Sequence, residues 1–251
     1  MLPILVGKGT LLSKYLINHD KKYIVKLKLG IKTDTADGEG NIIQEKTVNK
    51  ELLIKENIEK IFKSFIGKQE QIPPIYSAIK LNGKKLYEYA RKGKSVELKP
   101  RQIEIYDIKL LDCSIEKNEI DFEVFCGKGT YIRSLCEDIA ERFDTVGYMK
   151  ELERIQVGDF KIEDSISIEK LEEIINNTND ISKTIISIEK LFEDRQSIIL
   201  NDKKMKLFLN GVQLTQEEKK EDVYKIYNEQ NEFVGIGTIK NSLLKRDIII
   251  K

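Results

Sequence analysis

The sequence predicts an α+β fold: a mixed, mostly antiparallel sheet flanked by helices, followed by a small β-rich module. Three observations lead there. Tyr23, Val25, Leu27 and Leu29 alternate with lysines, and Ile120, Phe122, Val124 and Cys126 alternate with acidic residues, which is the period of a half-buried strand. Ile58, Ile61, Phe62 and Phe65 fall at i, i+3, i+4 and i+7, and Ile132, Leu135, Ile139 and Phe143 share one face of a second helical pattern. The carboxy-terminal stretch carries one short helical pattern at 205–208 followed by two strand patterns, at 223–227 and 233–239.

Taken in order, the first strand pattern holds one wet face of Lys22, Lys26 and Lys28, interrupted only by Ile24, and ends at Gly30. The glycine-rich acidic stretch from Thr33 to Gly40 turns the chain, and Ile42-Ile43 begins a return strand, so the pair is expected to form a long hairpin. The helix over 58–65 is expected to end at Gly67 in the left-handed conformation. From Gln71 to Pro100 periodicity weakens and Pro73-Pro74 intervene, as in a long functional loop or a helical excursion. Strand patterns resume at 103–110 and 120–126, and Gly127-Lys128-Gly129 launches a helix over 130–143. Between Ile168 and Phe192 the chain turns polar and asparagine-rich, which places a boundary near Ser182 and domains at 1–181 and 182–251.

Composition excludes several classes. With 251 residues, 40% hydrophobic and 34% charged, the chain can bury a real core, which argues against disorder. Forty-three basic residues face 42 acidic ones, a net charge of +1, so any polyanion contact must be a local patch. The longest apolar runs fall far short of the roughly 20 residues that span a bilayer, and Met1–Val6 lacks the features of a secretion signal. The three cysteines form no C-x-x-C pair, which fits a reducing cytoplasm rather than a disulfide framework or a zinc knuckle. His19 is the sole histidine, so Ser-His-Asp and Cys-His nucleophiles and multi-histidine metal sites are excluded; it reads as an ordinary surface residue near a helix end.

Two attractive motifs fail on spacing. Gly-Lys-Gly-Thr occurs at 7–10 and at 127–130, but a phosphate loop needs a glycine five residues upstream and a hydroxyl residue directly after the lysine, where Gly9 and Gly129 stand. Asp34 to Glu45 has the length of a calcium loop, but Ala36, Gly38 and Glu39 occupy ligand and glycine positions. It is either a plain solvated turn or one whose Asp and Thr side chains bind its own backbone. Lys80, Lys84, Lys85, Arg91, Lys92, Lys94, Lys99 and Arg101, with Tyr76, Tyr87 and Tyr89 among them, have the composition of a polyanion site, in which cations meet phosphate and rings stack on unpaired bases. A solvated surface loop would have the same composition.

At these residues the sequence resembles the TruB family of bacterial tRNA pseudouridine synthases. The blocks are Lys22-Tyr23 with 29–40 (LGIKTDTADGEG), 71–80 (QIPPIYSAIK) running on through 83–91 (GKKLYEYAR), 126–135 (CGKGTYIRSL), and a weaker one around 152–155 (LERI) and 158–160 (GDF), with a glutamate where an arginine is more usual. The resemblance covers nearly the whole chain, and implies a pseudouridine synthase fold with a PUA-like RNA-binding module over about the last seventy residues.

The implied reaction isomerises uridine 55 in the T loop of tRNA, with no metal or other cofactor. Uracil is detached from N1, rotated and rejoined through C5 by a carboxylate nucleophile, after the base has been flipped out of its stack. By resemblance Tyr23 stacks on the flipped base, and Arg133 pairs with the catalytic aspartate and keeps it ionised. Pro73, Tyr76, Lys80, Lys84, Lys85, Tyr87, Arg91 and Leu152 are the implied RNA contacts, and the implied partner is the T arm of tRNA, met by a monomeric, cytoplasmic protein. One departure stands out. The family's nucleophile lies in a segment of the form G-x-L-D-P-x-A-x-G-x-L-P, of which Met1–Thr10 match only the end, so that its place falls before Met1. Asp34 and Asp37 belong to a different motif. Arg133 is therefore expected to face an empty place, and the chain to be poorly stable and inactive by itself; the alternative is a non-catalytic RNA-binding protein derived from such an enzyme.

Overall fold

The computed structural model describes residues 1–16, 18–94, 96–178 and 180–250. It divides into two compact units, one made of Met1–Pro3 and Tyr15–Ser165, the other of Ile4–Lys14 and the chain from Ile166 onward. No described helix is long and apolar enough to cross a membrane.

After a single turn α1 (Ser13–Leu16), the first unit runs β1 (Lys21–Leu29), β2 (Ile31–Thr33), β3 (Ile42–Glu45), α2 (Lys55–Lys63), β4 (Gly67–Gln71), β5 (Lys80–Leu81), β6 (Lys84–Lys85), α3 (Leu86–Ala90), β7 (Arg101–Ser114), β8 (Glu119–Cys126), α4 (Ile132–Arg142), β9 (Gly147–Val157) and β10 (Phe160–Lys161). Six strands form one sheet in the order β10-β9-β1-β8-β7-β4, with every neighbouring pair antiparallel. Period-two patterning decides its faces. Val25, Leu27 and Leu29 of β1 lie with Ile105, Ile120, Phe122 and Val124 in a core closed by Ile58 and Phe62 of α2 and Leu135 and Ile139 of α4. On the opposite face Lys22, Lys26 and Lys28 pair with Glu123, Asp121 and Glu119. Gly147 is a close approach: a Cβ there would stand 2.8 Å from Ala140 Cβ and 2.9 Å from the Lys28 carbonyl oxygen.

The second unit holds α5 (Ile168–Thr178), β11 (Ser197–Ile199), α6 (Asp202–Leu209), β12 (Leu214–Thr215), β13 (Val223–Tyr227), β14 (Phe233–Lys240) and β15 (Leu243–Ile249). Its five strands are ordered β11-β13-β14-β15-β12, antiparallel except for the parallel β11–β13 pair. Phe208, Ile226 and Leu244 centre the core, and the Asn201 side chain caps α6 by accepting the Lys204 N–H at 2.9 Å. Lys8 Nζ donates to the Ile250 carbonyl at 2.9 Å, and Lys14 pairs with Asp247.

Four details depart from the sequence expectations. The return strand at 42–45 pairs with β2 as a separate two-stranded ribbon, not with the 23–29 strand, because β1 already has β8 and β9 on its two edges. Gly67 has a positive φ of 108°, but α2 ends earlier, at Ser64, and Gly67 opens β4. The asparagine-rich stretch holds a helix, α5, which buries none of its side chains and so shows a polar composition. Finally, β9 was not foreseen. Its register on β1 shifts twice, and each bulge slips the alternation by one residue.

Candidate active site

Strand β9 is the organiser of the site. Tyr23 of β1 stands opposite Arg154, and Val25 opposite Leu152. Directly paired residues share a face, so Leu152 and Arg154 lie on the same side of the sheet as Tyr23. Tyr23 is half-buried against the core, whereas Leu152 is 43% exposed. Burial raises the Tyr23 hydroxyl above its usual pKa, with Cys126 adding to the shift and the Arg154 guanidinium opposing it. Arg154 also holds the start of the chain, since Met1 donates its amino group to the Arg154 carbonyl at 2.9 Å and Arg154 Nε donates to the Met1 carbonyl at 3.0 Å.

The same strand supports the acidic turn. Met149 N–H donates to the Ala36 carbonyl at 3.1 Å, with Ala36 at a φ of +61°. Of the two sequence readings, the self-bonded turn is the one observed. Asp34 accepts the Asn41 N–H at 2.9 Å, Thr33 Oγ1 donates to the Asp37 carbonyl at 2.7 Å, and Thr35 Oγ1 donates to Asp37 Oδ1 at 2.6 Å. Gly40 has no room for a side chain, because a Cβ would collide with Thr35 Oγ1 and Asp34 Oδ1.

This turn presents the free oxygen of Asp37 to Arg133 in the first turn of α4. Arg133 Nη1 donates to Asp37 Oδ2 and to the Thr35 carbonyl, each at 3.2 Å, and Nη2 donates to the Tyr76 carbonyl at 2.9 Å. Both charged side chains are roughly three-quarters buried, at 22% and 24% exposure. The expectation that Arg133 faces an empty place is therefore corrected. A buried guanidinium needs acceptors, and the turn and the loop root supply three.

The Tyr76 carbonyl belongs to the basic segment. That segment starts with Gln71 at the end of β4 and runs irregularly to β5, which pairs with β6 across an Asn82-Gly83 turn with φ of +51° and +81°. Glu88 accepts the Lys85 N–H at 3.2 Å at the start of α3. Two cations lie within cation–π distance of the Tyr87 ring, Lys85 Nζ 5.4 Å and the Arg91 guanidinium carbon 5.2 Å from its centroid. Lys80, Lys84 and Arg91 are exposed, Tyr76, Lys85 and Tyr87 half-buried, and Pro73 buried.

The fold thus gathers Lys85, Tyr87 and Arg91 into one cluster, joins Arg133 to the root of their segment, and sets Tyr23 beside Leu152. Tyr23 and Arg133 share no hydrogen bond among the described residues; β9 is what relates them. Sequence reasoning missed two participants, Asp37 as the partner of Arg133 and Arg154 as the neighbour of Tyr23. The signal for Asp37 was the run Thr33-Asp34-Thr35-Ala36-Asp37 itself, which carries more hydrogen-bonding side chains than a plain turn needs.

Comparison with known proteins agrees along the whole chain. Residues 1–132 match the model of the TruB family pseudouridylate synthase (N terminal domain), 133–193 the tRNA pseudouridylate synthase B C-terminal domain, and 197–245 the pseudouridine synthase II TruB C-terminal model. The tRNA pseudouridine synthase B of Clostridium kluyveri is 41% identical over 250 residues, covering 98% of this chain and 83% of that protein. That of Clostridium perfringens (strain 13) is 41% identical over 244 residues, covering 94% and 80%. Among solved structures, a Cbf5-Nop10-Gar1 complex matches with a TM-score of 0.64 at 21% identity, covering 98% of this chain and 70% of that one, a likeness of fold. An archaeal box H/ACA sRNP Nop10-Cbf5 complex matches similarly, with a TM-score of 0.61 at 20% identity, covering 98% and 69%. With the acidic turn, the arginine helix and the basic segment all falling inside the matched regions, the chain belongs to the TruB family of pseudouridine synthases.

Proposed function

We propose that this protein acts on tRNA, isomerising uridine 55 of the T loop to pseudouridine. The observation that carries the reading is the guanidinium of Arg133, which ties the acidic turn to the root of the basic segment. Phosphates of the T arm would meet Lys80, Lys84, Lys85 and Arg91, while Tyr76 and Tyr87 offer rings to unpaired bases. Leu152, which is exposed, offers an apolar wall to the RNA, whereas Pro73, which is buried, shapes the segment from within. Flipping the target base costs a few kcal/mol, and stacking on Tyr23 offsets part of that. The residues from about Ser182 form a PUA-like RNA-binding domain next to a catalytic domain over 1–181, and the protein works as a cytoplasmic monomer.

The chemistry needs a carboxylate nucleophile in the motif G-x-L-D-P, which residues 1–251 do not contain. Asp37 is held by Thr35 and Arg133 and serves as the arginine's counter-ion. Residues 1–251 alone are accordingly expected to release no tritium from C5-labelled T-arm RNA. Tritium release by the purified chain would falsify the inactivity. A second reading, an RNA-binding protein without catalysis, is favoured by one observation: Arg133 already has three acceptors without a nucleophile. The two readings separate on whether adding a G-x-L-D-P segment ahead of Met1 produces pseudouridine.

A further inference from the structure

We propose that Gln71 and Ser134 are positioning residues for RNA binding: they fix the root of the basic segment to α4, and so set the aim of Lys85, Tyr87 and Arg91. The inference rests on the reading of that segment as the RNA contact. Residues 72–78 lie in no strand or helix, so their backbone groups have no ladder to join and must find partners elsewhere. Side chains of α4 meet two of them, the Ile72 and Tyr76 carbonyls, and Gln71 ties the end of β4 to the same helix. Gln71, 3% exposed, makes a two-point bond with the residue that caps α4: its Nε2 donates to the Tyr131 carbonyl at 3.1 Å and its Oε1 accepts the Tyr131 N–H at 2.8 Å. Ser134, 5% exposed, donates from Oγ to the Ile72 carbonyl at 2.9 Å. Arg133, between them in sequence, holds the Tyr76 carbonyl.

The far side of the root passes this placement on. Tyr87 N–H donates to the Ser77 carbonyl at 3.1 Å, and Leu86 N–H to the Ile79 carbonyl at 2.8 Å, so that α3 is anchored on the root. Tyr87, whose ring meets both cations, is itself one of the donors. A chain of hydrogen bonds thus runs from α4 through the root to the cation cluster. Gln71 and Ser134 are neutral and buried, so they act by holding the cluster ready. Without them the segment must be ordered at the moment of binding, and that ordering weakens affinity.

The test compares the full chain with Ser134→Ala, Gln71→Ala and Ser134→Thr, using T-arm RNA across a salt series together with hydrogen exchange. Ser134→Ala is expected to bind roughly 3- to 10-fold more weakly and Gln71→Ala more weakly still. The salt slope should stay that of the parent, since no cation is removed. Exchange should rise over residues 72–91 while the sheet strands keep their protection, and Ser134→Thr, which retains the hydroxyl, should restore both readouts. Variants that bind and exchange like a binding-competent parent overturn the positioning role alone. So does a rise in exchange spread evenly over the strands, which would mark a merely structural role. A parent chain that fails to bind the RNA overturns the reading of the segment, and this role with it.

Discussion

The Asp37–Arg133 pair shows how a residue's role depends on who else reaches it. Both groups are mostly withdrawn from water, so each relies on the other more than an exposed pair would. A double-mutant cycle with Asp37→Asn and Arg133→Lys should return a coupling of about 1–2 kcal/mol in urea unfolding, and additive single effects would show the pair to be idle. Asp138, one turn along α4 on another face, is a different case. Burial, with Glu141 and Glu137 close by, pushes its carboxyl up to about 6. A folded pKa above the unfolded one means the native state binds the extra proton, so this group's penalty is absent in acid and sets in as pH rises from about 4 through 6. Asp138→Asn should therefore stabilise the chain at pH 8, by about 1 kcal/mol after discounting partial exposure, and lose that gain at pH 4. Equal gains in thermal melts at both pH values would refute the assignment. Tyr23 and Arg133 enter the candidate site through motif resemblance. Asp37 was visible only as part of a turn, because a pairing across 96 residues leaves no trace in local spacing.

Among the elements, those with unbroken periods were legible and those with bulges or polar faces were not. β1, β8, α2 and α4 each bury one clean stripe in a shared core and were found within a few residues of their bounds. β9 carries two register shifts and an exposed middle, 150–153, that is charged except for Leu152, so its pattern resembles a loop although it holds the acidic turn, Leu152 and Arg154 in place. Its first residue is a tightly packed point between the sheet and α4. Gly147→Ala would force a methyl against Ala140 and the Lys28 carbonyl, prising α4 from the sheet. The expected cost is about 1–3 kcal/mol of stability in denaturant unfolding, and an unchanged midpoint would mean the helix yields freely.

At the scale of the whole molecule, the fold class was legible because it follows from the order of strands and helices, whereas the strand order in each sheet was not, since it depends on contacts distant in the chain. Charge shows the same division. A net charge of +1 attracts no polyanion from afar, so RNA affinity must come from where the cations are clustered. Replacing Lys84, Lys85 and Arg91 together by glutamine should weaken T-arm binding and flatten its salt dependence by up to about 2 in log–log slope; an unchanged slope would move the contact elsewhere. The topology also has a consequence in time. β1 is an interior strand, yet its partners β8 and β9 end at Cys126 and Val157. At about 5–20 residues per second, β1 leaves the ribosome on the order of 10 seconds before the strands that pair with its two edges are complete. The newborn chain thus spends that interval without its sheet, and a chaperone that holds the first third of the polypeptide during synthesis would be the factor on which its yield depends.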